Sequence, residues 1–186
     1  MDLAKIVDMH IRMWSPREIL GFGLLLLVVT AFLYRQVRRK TLFLSQAISI
    51  WLELLFLGVV FSSTVFTRTE SPLQFQLKLF WSWEIAIEGN KEILVEILLN
   101  FLLLVPAGVL LPIIFHGTVK PRYGWLIGVT ISFNIEILQL ILHRGMFEWD
   151  DILHNSLGCM FGCIIMNRNY KLKASKKIKS DIKTNT

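Results

Sequence analysis

Five apolar blocks, each near the length of a membrane-crossing helix and parted by short charged stretches, constrain this chain more than any other feature. They cover residues 19–34, about 42–61, 93–115, 124–142 and about 147–166. A helix crossing ~30 Å of hydrocarbon needs about 20 mainly apolar residues, and in lipid only helices or closed barrels satisfy their own backbone polar groups. The blocks therefore predict an all-α fold, a polytopic integral membrane bundle of about five transmembrane helices. Composition agrees: 54% hydrophobic and 18% charged residues would give a water-soluble domain of 186 residues more apolar surface than it could bury. No soluble domain is left over.

The first and fifth blocks are short of a full span and borrow Trp14 and Trp149 as interfacial anchors. The first is read as a retained helix, because it lacks a small-x-small cleavage pattern and ends in Tyr34-Arg35-Gln36. Three segments result: residues 1–47 with the first helix, a membrane domain over 48–166, and a basic tail over 167–186. Cys159 and Cys163, one turn apart on one helix face, are placed for packing and not for a disulfide.

Lys and Arg placement sets the expected orientation. With the amino terminus outside, the cytoplasmic segments hold Arg35, Arg38, Arg39 and Lys40, then Lys120 and Arg122, then seven cations of the tail, thirteen in all. The outer segments hold seven, namely Lys5, Arg12, Arg17, Arg68, Lys78, Lys91 and Arg144. The positive-inside bias thus predicts an outer amino terminus and a cytoplasmic carboxyl terminus in a multi-pass cell-membrane protein. The tail is expected either to meet anionic lipid headgroups or to be a solvated segment without a partner.

That topology gathers polar residues at the outer ends of three helices. Glu92, Glu96, Asn100 and Gly108 share one face of the third, at multiples of four. Gly124, Gly128, Ser132 and Glu136 form a similar stripe on the fourth, with Gln139 beside its outer end. The fifth opens with Asp150 and Asp151, places Asn155 one turn below Asp151, and continues with the small-xxx-small pair Gly158 and Gly162. Small residues let helices approach closely in lipid, so the inner halves are expected to pack and the outer halves to bind or react. A carboxylate within a bilayer costs on the order of 3 kcal/mol even on insertion scales, so Glu96 and Glu136 should face the bundle. Arg144 and Arg68 lie on the same side, and an Arg fork could bridge two carboxylates. The alternative is a polar network that merely joins helices. Glu53, mid-span in the second helix with Gln46 two turns away, either completes the cluster from below or stands apart.

Apolar residues occupy every odd position from Leu73 to Ile87 in the second loop, with Gln74, Gln76, Lys78, Ser82 and Glu84 between them. Period two signals a strand, yet a lone strand in lipid leaves backbone groups unpaired, so an extended or partly helical segment at the headgroup level is expected, anchored by Trp81 and Trp83. It could roof the polar cluster. Pro106 predicts a kink in the third span, eased by Gly108.

The segment Asn100-Phe-Leu-Leu-Leu-Val-Pro106-Ala-Gly108, the run from Ser132 through Glu136-Ile-Leu-Gln139, and Arg144-Gly-Met-Phe-Glu-Trp-Asp150-Asp151-Ile-Leu-His-Asn155-Ser-Leu-Gly158-Cys-Met-Phe-Gly162 together resemble the VanZ-like family of membrane proteins. Three separated motifs occur in order, over roughly residues 48–165. Arg68 resembles the Arg that opens the family's second-loop motif, although the residues after it diverge; Glu148 replaces an Asp and His154 an apolar residue. The resemblance implies association with resistance to glycopeptide antibiotics, teicoplanin in particular, in Gram-positive bacteria, and supplies no reaction.

Three functions are open. The first is a non-enzymatic binder of a lipid-linked cell-wall precursor or of the glycopeptide, through Arg68, Glu96, Asn100, Glu136, Gln139, Arg144, Asp150, Asp151 and Asn155. The second is a membrane-embedded enzyme acting on an envelope lipid, with Glu136 and Asp151 as the acid and base pair, Arg144 holding a phosphate and Asp150 as a further candidate. The third is a transporter or flippase, against which stands the lack of an inverted repeat. His143, Asp150, Asp151 and His154 offer ligand atoms within twelve residues, but in no recognised metal spacing. No cofactor, metal or nucleic-acid partner is expected; membrane lipid is, and the sequence leaves the oligomeric state open.

Overall fold

A computed structural model describes residues 14–184, with side chains described as far as residue 172. Lys5 and Arg12, counted above in the outer charge, lie outside the described residues, as does the chain end beyond Thr184. The elements are α1 (Pro16–Arg38), α2 (Leu44–Phe61) running into a π-helical turn (Ser62–Phe66), β1 (Gln74–Gln76), α3 (Trp81–Ile87), α4 (Lys91–Leu103), α5 (Val105–Ile114), α6 (Pro121–Ile141), β2 (Met146–Glu148) and α7 (Trp149–Thr184).

Local chemistry starts and stops these helices. Ser15 caps α1 by accepting from the Glu18 backbone N–H, while Glu18 accepts from the Ser15 N–H at 2.7 Å, and Pro16 takes the first helical position, where no N–H is needed. Asn90 caps α4 by accepting from the N–H groups of Glu92 and Ile93. The helix then breaks at Leu104, two residues before Pro106, whose ring and missing N–H deny the preceding turn its hydrogen bond. The expected kink falls at Leu104, the one residue between α4 and α5.

Among the described residues, four helical stretches are long and apolar enough to cross a membrane: Pro16–Arg38, Leu44–Phe66, Lys91–Ile114 and Pro121–Ile141. These hold the first four apolar blocks. The fifth forms the first part of α7, which packs against α4, α5 and α6 at the centre of the all-α bundle and runs on unbroken past Met166. Its contacts are closest at glycines. A Cβ on Gly108 would overlap the Cys159 carbonyl, one on Gly158 the Phe101 carbonyl, and one on Gly162 the Val105 carbonyl. From α6, a Cβ on Gly128 would come within 2.7 Å of Ser156 Cα. Cys159 and Cys163 are free thiols with no exposed surface, filling this seam. By contrast α1 buries only Leu33 and leans on α2 through Phe22, whose ring covers Gly58, and through a hydrogen bond from the Trp51 indole to Thr30 Oγ1 at 3.1 Å.

The second loop is both extended and helical. Residues 74–76 form β1, and its backbone is paired: β2 runs parallel beside it, with Gln74 opposite Met146, Phe75 opposite Phe147 and Gln76 opposite Glu148. The expectation of an extended or partly helical segment weighed the strand as a lone one and took no account of this partner 72 residues further on. Phe80 then adopts the left-handed conformation, φ 63°, to turn the chain into α3. For a bulky residue this costs about 1–2 kcal/mol.

Candidate functional site

The loops after α2 and α6 cover one end of the bundle, where α4 begins, α6 ends and α7 begins. Three groups of polar side chains stand there, and they do different things.

The first holds the roof down. Asp150, 1% exposed, accepts from the Phe80 N–H at 2.6 Å, the Ser82 N–H at 3.1 Å and the Ser82 hydroxyl at 2.5 Å. Both its oxygens are used on α3, and these charge-assisted bonds offset the left-handed turn at Phe80. His154, buried one turn along α7, accepts from the Trp83 indole N–H at 2.8 Å. Two of the four groups considered for a metal are therefore committed to the roof.

The second pins the π-helical turn. The helix ends at this turn, so its last carbonyls have no partner within it. Gln139 donates to the Thr64 carbonyl at 2.9 Å, and the Arg144 guanidinium donates to the Phe66 carbonyl. Of the two arginines considered for bridging carboxylates, Arg68 is the cation that acts on Glu136 and Asp151. Its guanidinium lies over Gly145, where a Cβ would come within 3.2 Å of Arg68 Nη1.

The third group is the acid layer. Asp151 accepts from the Asn100 amide at 2.5 Å, and its backbone carbonyl accepts from the Ser132 hydroxyl at 3.4 Å. Asn155 donates to Ser132 at 2.8 Å, which links the three helices. Glu136, 1% exposed, accepts from the Glu148 N–H at 2.9 Å. Glu148, in β2 and so outside the helices, has its carboxyl pushed up to about 8, first by burial and then by the charges of Asp151 and Glu96. Glu96, exposed on α4 one turn before Asn100, completes the layer.

Glu53 does not join them. It acts on Cys159 in the seam below, and its Oε2 is buried with no hydrogen-bond partner among the described residues. Two participants were missed by sequence reasoning. Glu148 showed only as a departure from a family pattern, and the Trp83–His154 pair had no signal, because neither residue type demands the other.

Chemically, four carboxyl groups gather in one layer, two of them acted on by the exposed Arg68 guanidinium; with Glu148 held protonated by burial, the layer presents O–H donors as well as oxygen acceptors. A family model described as VanZ/LLP1 matches residues 49–170, which takes in all three polar groups. No curated protein and no solved structure matches the chain.

Proposed function

The chain belongs to the VanZ/LLP1 family, as a VanZ-like membrane protein of the kind associated with glycopeptide resistance, and from that premise we propose that its acid layer is a binding site facing the outside of the cell. The protein crosses the cell membrane five times, the amino terminus outside, and contributes to teicoplanin-type resistance by engaging the drug or a lipid-linked wall precursor. The observation that carries this reading is the division of labour at one end of the bundle. Asp150, Gln139, Arg144 and His154 supply the structural bonds, and Glu96, Glu136, Glu148 and Asp151 gather more carboxyl groups than docking needs. Their chemistry suits the amine and amide N–H groups of a peptide-bearing ligand.

The orientation rests on the thirteen-to-seven cation asymmetry. A reporter fused after Thr186 should read cytoplasm, and one inserted in the second loop should read outside; the reverse would put the acid layer on the wrong face. Binding is tested with the purified full chain against lipid II, undecaprenyl phosphate and teicoplanin. The account expects lipid II or teicoplanin to bind, undecaprenyl phosphate to bind least, and none to be consumed. Turnover of a lipid would favour a membrane-embedded enzyme with Glu136 and Asp151 as its acid and base, and binding of none would refute the site.

A further inference from the structure

At the opposite end of the bundle, we infer that an anionic phospholipid is held with its headgroup between Lys120 and the α7 cations Arg168 and Lys171 and an acyl chain in the groove beside Pro121.

The placement follows from hydrogen bonds. Asn167 on α7 grips Val119 twice, donating to its carbonyl at 2.6 Å and accepting from its N–H at 2.9 Å. Lys120 and Arg168 each follow one of these two residues in the chain and so flank the junction. A groove of about 520 Å³ opens here, lined by Pro121, Ile164, Asn167, Arg168, Lys171 and Leu172. Ile164 and Leu172 present exposed apolar surface to whatever lies in it. The same end receives the loop between α1 and α2, where Phe43 stacks on His116 with ring centres 4.2 Å apart and Gln46 donates to the Ile114 carbonyl at 2.8 Å.

Charge selects the occupant. Eight Lys and Arg side chains, at positions 35–40, 120–122 and 168–171, gather at this end, and among the described residues no Asp or Glu joins them. In a helix that leaves the hydrocarbon here, long cationic side chains lay their stems on apolar surface and carry their charges to headgroup level. A groove with an apolar floor and a cationic rim at that depth matches a molecule with an acyl chain below an anionic headgroup. A free anion would leave the floor uncovered, and a neutral lipid would leave the cations without a partner.

The test is native mass spectrometry of the full chain, purified in detergent and equilibrated with equal amounts of dioleoyl phosphatidylglycerol and dioleoyl phosphatidylcholine. Wild type should retain one phosphatidylglycerol in preference to phosphatidylcholine by about tenfold or more. R168Q/K171Q should erase the preference, whereas R38Q/R39Q, which removes as much charge from the same end away from the groove, should keep it. I164W retains every charge but fills the groove, and it too should lose the adduct, which keeps the test decisive should the double variant not fold. Equal retention of the two lipids by wild type, or an equal loss in R38Q/R39Q, would overturn the site. So would displacement of the lipid by glycerol phosphate alone, or a protein dimer in place of the lipid adduct.

Discussion

Along α7 the chain changes its manner of contact. From Asp150 to Asn155 its polar side chains meet polar groups on α3, α4 and α6: Asp150 with Phe80 and Ser82, Asp151 with Asn100, His154 with Trp83, Asn155 with Ser132. From Gly158 to Cys163 it meets its neighbours through glycine and cysteine, backbone against backbone. Shape holds the second stretch and direction the first. Close packing resists any added atom, whereas hydrogen bonds tolerate a change of charge if the donors and acceptors remain. The two stretches should therefore fail differently when altered.

The largest effect belongs to the small-residue stretch. Gly162→Leu would drive a side chain into the Val105 carbonyl and the Val109 N–H, which no rotamer relieves. Overpacking of this kind costs about 3 kcal/mol or more, so folded protein in the membrane should fall to a small fraction of wild type, as measured by fluorescence-detected size exclusion. Wild-type levels would mean that this face looks toward lipid.

A middle-sized effect is expected from Asp150→Ala, which strips three hydrogen bonds from α3 while leaving the seam intact. A loss of about 2 kcal/mol is expected, because the freed N–H groups can reach water at the bundle end. Protease accessibility of the loop around Phe80 should rise with the bundle still folded. Unchanged accessibility would show that the roof is held elsewhere.

A third effect is one of pH. Glu148 in the folded protein stays protonated up to about 8, whereas unfolded it would ionise near 4.5. Between those values the unfolded state binds fewer protons, so stability should be greatest at and below the lower value and decline as pH rises through the window. The thermal midpoint in detergent should drop measurably from pH 5 to pH 8.5, and Glu148→Gln should reduce the slope. An equal slope in the variant would show that Glu148 is not among the groups responsible.

Much of this was legible in the order of residues. Block lengths located the helices, Pro106 the interruption, and the pair Gly158 and Gly162 the close seam, because each signal is local and has one physical reading. Part of the acid layer was legible too, since Asp151 and Asn155 lie one turn apart and Glu96 and Asn100 do likewise, whereas Glu148 was not. What lay hidden depended on contacts distant in sequence. Asp150 and Asp151 are identical neighbours, yet α-helical geometry turns them about 100° apart, one toward the roof and the other toward Asn100. Nothing local says which is which. Arg68 and Arg144 part for a similar reason: the helix ends at Phe66 and leaves its carbonyl free, and Arg144 is the cation that reaches it while Arg68 faces Glu136 and Asp151. The pairing of β1 with β2 joins three-residue strands too short to show a period.

Whether the polar stretch of α7 is a site or only a scaffold is tested most directly by Asp151→Asn. The change keeps an oxygen to accept from Asn100 and removes the charge that acts on Glu136 and Glu148. The account predicts that this variant accumulates in the membrane at wild-type level and loses most of the teicoplanin protection the wild-type protein confers, measured as the drug concentration that stops growth of cells expressing either form. Full protection at normal accumulation would contradict it and leave the acid layer as a joint between helices.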